Sequence, residues 1–282
     1  MDTSKKMVPL LRIAKFTFID EVRQRSFVAL FVACVMGVLL IRGCYHGNYQ
    51  VNGQTVDAET IVRTVSKATF HMIAFGVMVI AALLSMRIFR RDRAEGTLSS
   101  VLSKPIERWQ YVIGKIIGVW GLSALFMFIL HGLVFLLTAI SLKIFMPEVL
   151  VGSLLCSINL LFVVIALLLL SLLMPDIVAF LCITAVGISG FIADGIAAAS
   201  KSQFVQAMVQ QSAGQPQAEV TWWKIVYVLW PKLLGVQQVA SSLMEGEVSH
   251  GLAAVYPLVN VLLYCLILGA LLFKRFATED IT

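Results

Sequence analysis

Few residues in this sequence have the type and spacing for covalent chemistry. Gly187-Ile188-Ser189-Gly190 has the form of a nucleophilic serine motif. A serine needs a neighbouring base to take its proton. The histidines on offer are His71 and His131, in two earlier apolar runs, and His250, just before the last run. Glycine and serine also let membrane helices pack closely, so packing competes with catalysis as the reason for this tetrapeptide. Cys34, Cys156, Cys182 and Cys265 lie in apolar runs as small packing residues, Cys44 is left open, and none forms a CxxC pair. No histidine, cysteine or acid grouping has metal-ligand spacing, so no metal is expected. Asp194 is an acid inside an apolar run. Such acids are candidates for a transport pathway, although its place near one end of the run also allows plain solvation. A phosphate-cradling loop needs G-x-x-x-x-G-K. Here the one Gly-Lys pair is Gly114-Lys115, with Trp109 where the first glycine belongs.

The elements that must position these residues are apolar helices. Hydrophobic residues make up 59% of the chain and charged residues 13%. A soluble domain carries about twice that charge, and the mean hydropathy of +0.90 makes lipid the solvent for most of the chain. Six stretches reach the roughly 20 apolar residues that a spanning helix needs: 26–45, 68–86, 116–142, 149–174, 177–199 and 251–273. Barrel strands are excluded by their length and uniformity. The first run follows a charged stretch and has no small-residue cleavage pattern, so it is expected to be a retained span. Residues 1–282 read as a single membrane domain.

Even numbers of spans put both termini on one side. That side, with residues 87–115, carries fifteen basic residues against seven on the other. The net charge of +6 therefore reads as topology rather than as a nucleic-acid surface. The positive-inside rule places both termini in the cytoplasm. A bacterial inner membrane fits best.

Three connections carry information. Residues 8–25 place Leu11, Ala14, Phe18 and Val22 on one helical face, with Arg12, Lys15 and Arg23 elsewhere. That pattern predicts an amphipathic helix lying in the headgroup layer. Residues 43–67 read as an exposed polar loop. Residues 200–250 are polar at first and then rich in Trp222, Trp223, Tyr227 and Trp230. Lys224, Pro231 and Lys232 argue against a seventh span, so short re-entrant helices are expected ahead of the sixth.

The long cytoplasmic insertion, 87–115, begins with Arg90, Arg91 and Arg93 and continues through Glu95 to apolar Leu98, Val101 and Leu102. That spacing predicts about two turns of amphipathic helix, stopped by Pro105. Its apolar face has no partner in the sequence pattern, and a groove on another protein could bury it. The arginines either anchor headgroups or meet that partner.

Glu95-Gly96-Thr97-Leu98, then Leu102-Ser103-Lys104-Pro105-Ile106, Arg108, Tyr111 and Gly114-Lys115, resembles the ABC-2-type permeases, the membrane subunits of ATP-binding-cassette exporters. The resemblance is close over about 25 residues, and in layout it extends across the chain. It implies a permease subunit without catalysis of its own, with residues 95–102 as a coupling helix. Glu95, Gly96 and Thr97, with Arg90, Arg91, Arg93, Leu98, Val101 and Leu102, would dock a cytosolic ATPase that binds ATP and Mg. Lys104, Pro105, Arg108, Tyr111, Gly114 and Lys115 continue the motif. A second permease copy or a homologue would complete the transporter. Two other readings stand beside it: a rhomboid-like intramembrane protease using Ser189, and a family member that passes force to an external accessory protein without transport. The few polar groups in the spans lean towards an amphipathic or lipid-like cargo, or a small channel once two copies pair.

Overall fold

The computed structural model describes residues 3–41, 50–51, 54–55, 58–97, 106–141, 145–200, 229–245 and 252–278. Among them nearly everything is helix, as apolar backbone in lipid requires. The helices are α1 (Thr3–Arg23), α2 (Arg25–Ile41), α3 (Ala58–Ser85), α4 (Ile88–Ala94), α5 (Arg108–Ser141), α6 (Glu148–Leu173), α7 (Asp176–Ser200), α8 (Leu233–Ser242) and α9 (Leu252–Thr278). A 3-10 turn, Leu243–Glu245, extends α8. The exception to helix is a small antiparallel hairpin, β1 (Gln50–Val51) with β2 (Gln54–Thr55). Five helices are long and apolar enough to cross a membrane, or six if the bent pair α1 and α2, meeting at 70°, counts as one span.

α6 is the centre of the bundle and packs against α3, α5, α7, α8 and α9. Leu160, Val164, Leu167 and Leu168 on it are fully buried. Their spacing of three and four residues is that of one helix face. α7 and α9 leave many apolar side chains outward, among them Leu181, Ile192, Leu263 and Leu266.

Several boundaries differ from the sequence expectation. α3 begins ten residues before the apolar run at 68, so residues 58–67 are helix rather than loop. Val62 and Ser66 are buried on this extension, and Arg63 donates to the Met244 carbonyl at 3.2 Å. Hydropathy missed it because Glu59, Arg63 and Lys67 interrupt its apolar residues. α5 begins at Arg108, eight residues early, so Tyr111, Gly114 and Lys115 belong to the helix. Of the region expected to hold re-entrant helices, residues 229–245 with α8 and its 3-10 turn are described, whereas 201–228 and 246–251 lie outside the described set.

α1 packs along α5. Ile13, Ala14, Thr17 and Glu21 are buried, Phe18 and Val22 are partly buried, and Leu11 is exposed. The reason is the surface of α5. A Cβ on Gly114 would stand 2.7 Å from Ile13, and one on Gly118 2.8 Å from the Ala14 carbonyl oxygen. These two glycines, four residues apart, form the notch that admits α1. Small residues at this spacing let helix backbones approach closely.

Candidate functional site

The motif residues meet at the end of the bundle where α1, α4 and the start of α5 converge. α4 turns Ile88, Phe89 and Asp92 inward and Arg90 and Arg93 outward. The predicted arginine cluster is therefore divided. Arg90 pairs with Asp176 in the first turn of α7 at 3.3 Å. Arg91 bonds Asp20 and, at 2.9 Å, Glu21 on α1, and lies 4.0 Å from Glu95.

Behind it sits a buried ion pair. Lys115 reaches Asp92 at 2.6 Å, with both side chains under a tenth exposed. The Tyr111 hydroxyl donates to the same carboxylate. The Tyr111 ring stacks on Phe276 of α9 at 5.8 Å, and Phe89 closes the aromatic group. Lys115 also lies 5.6 Å from the centre of that ring. A buried charge requires such partners, because leaving it alone costs several kcal/mol. Arg108 fixes the end of α9 by donating to the Ala277 carbonyl at 2.9 Å. Burial raises the Glu21 carboxyl above its ordinary value, and Arg91 partly offsets that rise.

Glu95 closes α4 rather than opening the next helix. Its backbone N–H bonds the Arg91 carbonyl, and Gly96 follows with φ of 67°. Glycine takes this left-handed conformation without steric cost, which is why it ends helices. Helix resumes at Thr97. Leu98, Val101, Leu102, Lys104 and Pro105 lie outside the described residues. Beside the Glu95–Thr97 turn, α1, α4 and α5 line an open cleft of about 370 Å³.

Asp194 is not solvated. It is buried and paired with Lys232 at 3.1 Å. Lys232 belongs to the strap that precedes α8. Three side chains from two helices hold this strap by its backbone. Asn159 of α6 donates to the Leu233 carbonyl at 2.8 Å, Asn260 of α9 accepts from the Lys232 N–H at 3.1 Å, and Tyr264 donates to the Leu229 carbonyl. Trp230 lies against Gly190 of α7, where a Cβ would come 3.2 Å from its indole nitrogen.

Ser189 donates to the Val186 carbonyl of its own helix at 3.0 Å and has no base among the described residues. His71 faces Gln237 at 3.3 Å, and His131 stacks on Phe70 and meets its carbonyl. Ser189 is exposed, and His250 lies outside the described residues.

Sequence reasoning missed Asp20, Glu21, Asp92 and Asp176 as site residues. The signal available was an acid, Asp92, inside a run of arginines, where topology alone asks for none. Gly114 and Gly118 were likewise a readable pair.

The described residues form a multi-span helical bundle of membrane-crossing length and hydropathy, with a polar, ion-paired end where α1, α4 and α5 meet. The chain belongs to the ABC-2 family of transporter proteins, whose model matches residues 11–281. Comparison with curated proteins finds no match.

Proposed function

We propose that this chain is the permease subunit of an ATP-binding-cassette exporter and that a separate ATPase docks at the α4 end. One observation carries the reading. The turn Glu95–Thr97 is attached to a block in which α1, α4 and α5 are joined by buried ion pairs. A push on that turn therefore moves α1 and the start of α5 together instead of bending a loop. A simple headgroup anchor has no need of such a block.

In this reading α1 is the interfacial helix, residues 95–102 act as the coupling segment, and the α4 end faces the cytoplasm. The partner binds ATP and Mg. Closure of two ATPase subunits presses on two permease copies, and the α5 and α9 spans carry the displacement across the membrane. ATP shifts the permease only as far as the ATPase binds its two conformations with different affinity.

The test is co-purification in mild detergent from the native host membrane. A stoichiometric ATPase bearing G-x-x-x-x-G-K is expected with the wild type and is expected to be lost with Leu98→Asp. Purification alone under several mild conditions refutes the assignment.

A further inference from the structure

The bend between α1 and α2 lies at the same end of the bundle as α4. α1 ends at Arg23 and α2 begins at Arg25, so Gln24 alone separates two helices that meet at 70°. Sharp bends usually mark a proline or a glycine, and residues 21–26 contain neither. Two backbone bonds cross the bend, from the Gln24 N–H to the Glu21 carbonyl and from the Val28 N–H to the Gln24 carbonyl. Both are 3.2 Å, the long end of the normal range. A side chain braces the bend more closely. The Gln24 amide donates to one Glu21 carboxylate oxygen at 2.6 Å, and Arg91 of α4 donates to the other at 2.9 Å. Glu21 is 1% exposed, and a dry setting strengthens both bonds. One carboxylate thus joins α4 to the hinge of the first span.

α2 has little else to fix its direction. Phe27 and Val38 are its buried residues. Val28, Val32, Met36 and Leu40, four residues apart, form an exposed outer stripe. On the inner side Phe27 and Phe31 meet Phe126 of α5 at 5.8 and 5.3 Å. Ring pairs are favourable over centroid separations of about 4.5–7 Å. They hold α2 near α5 and leave its tilt to be set at the elbow.

We propose that Glu21 is a positioning residue that ties the tilt of α2 to α4, so that force arriving at α4 turns the first span. The second clause rests on the reading that an ATPase docks at this end. When α4 moves, Arg91 carries the Glu21 carboxylate with it. The bond to Gln24 then makes α2 follow instead of pivoting freely. α5 and α9 pack along α6, whereas α2 is gripped at its elbow, so it is the span that a small displacement of α4 redirects most.

The test uses the full-length protein with its native ATPase in lipid nanodiscs. Spin-label pairs, diluted with unlabelled protein, report two distances: Met36 on α2 to Leu266 on α9, and Phe16 on α1 to Leu266. All three positions are more than half exposed. Gln24→Ala removes the arm to α2 and leaves the Glu21–Arg91 pair in place. The exchange Glu21→Gln with Gln24→Glu keeps both bonds, because the amide then accepts from Arg91 and donates to the carboxylate. In the wild type both distances are expected to be narrow and to shift with ATP. In Gln24→Ala the Met36 distance is expected to broaden and to lose its shift, while the Phe16 distance keeps its width and its shift. The exchange variant is expected to restore the Met36 distance. If Gln24→Ala leaves that distance as narrow and as responsive as in the wild type, the pin is wrong and the docking reading stands. Broadening of both distances, failure of the exchange to restore, or a wild-type shift at Phe16 without one at Met36 also overturns it. If the wild type captures no ATPase, the docking reading falls, and the tie between Glu21 and α2 is decided by the width of the Met36 distance in Gln24→Ala without nucleotide.

Discussion

Replacing Asp194 by asparagine removes the charge partner of Lys232 while nearly keeping the volume. Both side chains are 7% exposed and 3.1 Å apart, which puts the pair in the buried regime rather than the screened surface regime. Losing one member of a buried pair costs about 3–5 kcal/mol, mostly from the charge left behind. The second Asp194 oxygen has no partner among the described residues, so the intact pair is incompletely repaid for its desolvation. Neutralising both members, with Asp194→Asn and Lys232→Met together, is therefore expected to cost less than either single change. The assay is a double-mutant cycle of Asp194→Asn, Lys232→Met and both together, followed by unfolding in mixed micelles. A coupling of about 2 kcal/mol or more is expected. Single effects that simply add would refute a buried, mutually dependent pair.

The same pair has a pH signature. Burial lowers the Lys232 ammonium below its ordinary value, and the hydrogen bond and charge of Asp194 push it back up. Without Asp194 the lowering deepens. The unfolded chain then binds the proton more tightly than the folded one, so the stability of Asp194→Asn rises as pH increases towards about 10.4. A flat profile would contradict this.

The α1–α5 notch predicts a contrast between glycines. Gly118→Ala meets backbone at 2.8 Å, whereas a Cβ on Gly121 has nothing within 4 Å. Gly118→Ala should cost about 1–3 kcal/mol by overpacking, and Gly121→Ala should be neutral or slightly favourable by helix propensity. Spin labels on α1 and α5 should separate only in the first. At the α4 end, Tyr111→Phe takes one donor from Asp92 and should cost about 1–3 kcal/mol, read by thermal unfolding in detergent. Glu21→Gln should be tolerated better than Glu21→Ala, because it can still accept from Arg91. The folded protein holds the Glu21 proton more tightly than the unfolded chain. Its contribution to stability is thus full below its ordinary value of 4.5 and lost as pH rises through the raised value. Glu21→Gln should remove that slope from a stability titration.

The sequence alone determined the solvent, the helices and the family. Runs such as 149–174 are too long and too uniform to be anything but buried or spanning helix, and hydropathy marks their cores because transfer to lipid depends on composition. It determined their ends less well. α3 and α5 each extend past their apolar run, since a helix continues wherever its polar face finds a partner: Arg63 with Met244, and Arg108 with Ala277. It singled out Gly96 as a docking residue, whereas the left-handed turn that glycine makes there to end α4 came from the structure. Only the tertiary structure decided which charges meet. Arg90 and Arg91 are neighbours in the chain, yet one reaches α7 and the other α1, because successive helical residues point about 100° apart. Glu21 with Arg91, and Asp194 with Lys232, are joined across 70 and 38 residues. Such pairings follow from how helices cross, and here from a glycine notch on α5, where no local pattern of charge or hydropathy records them.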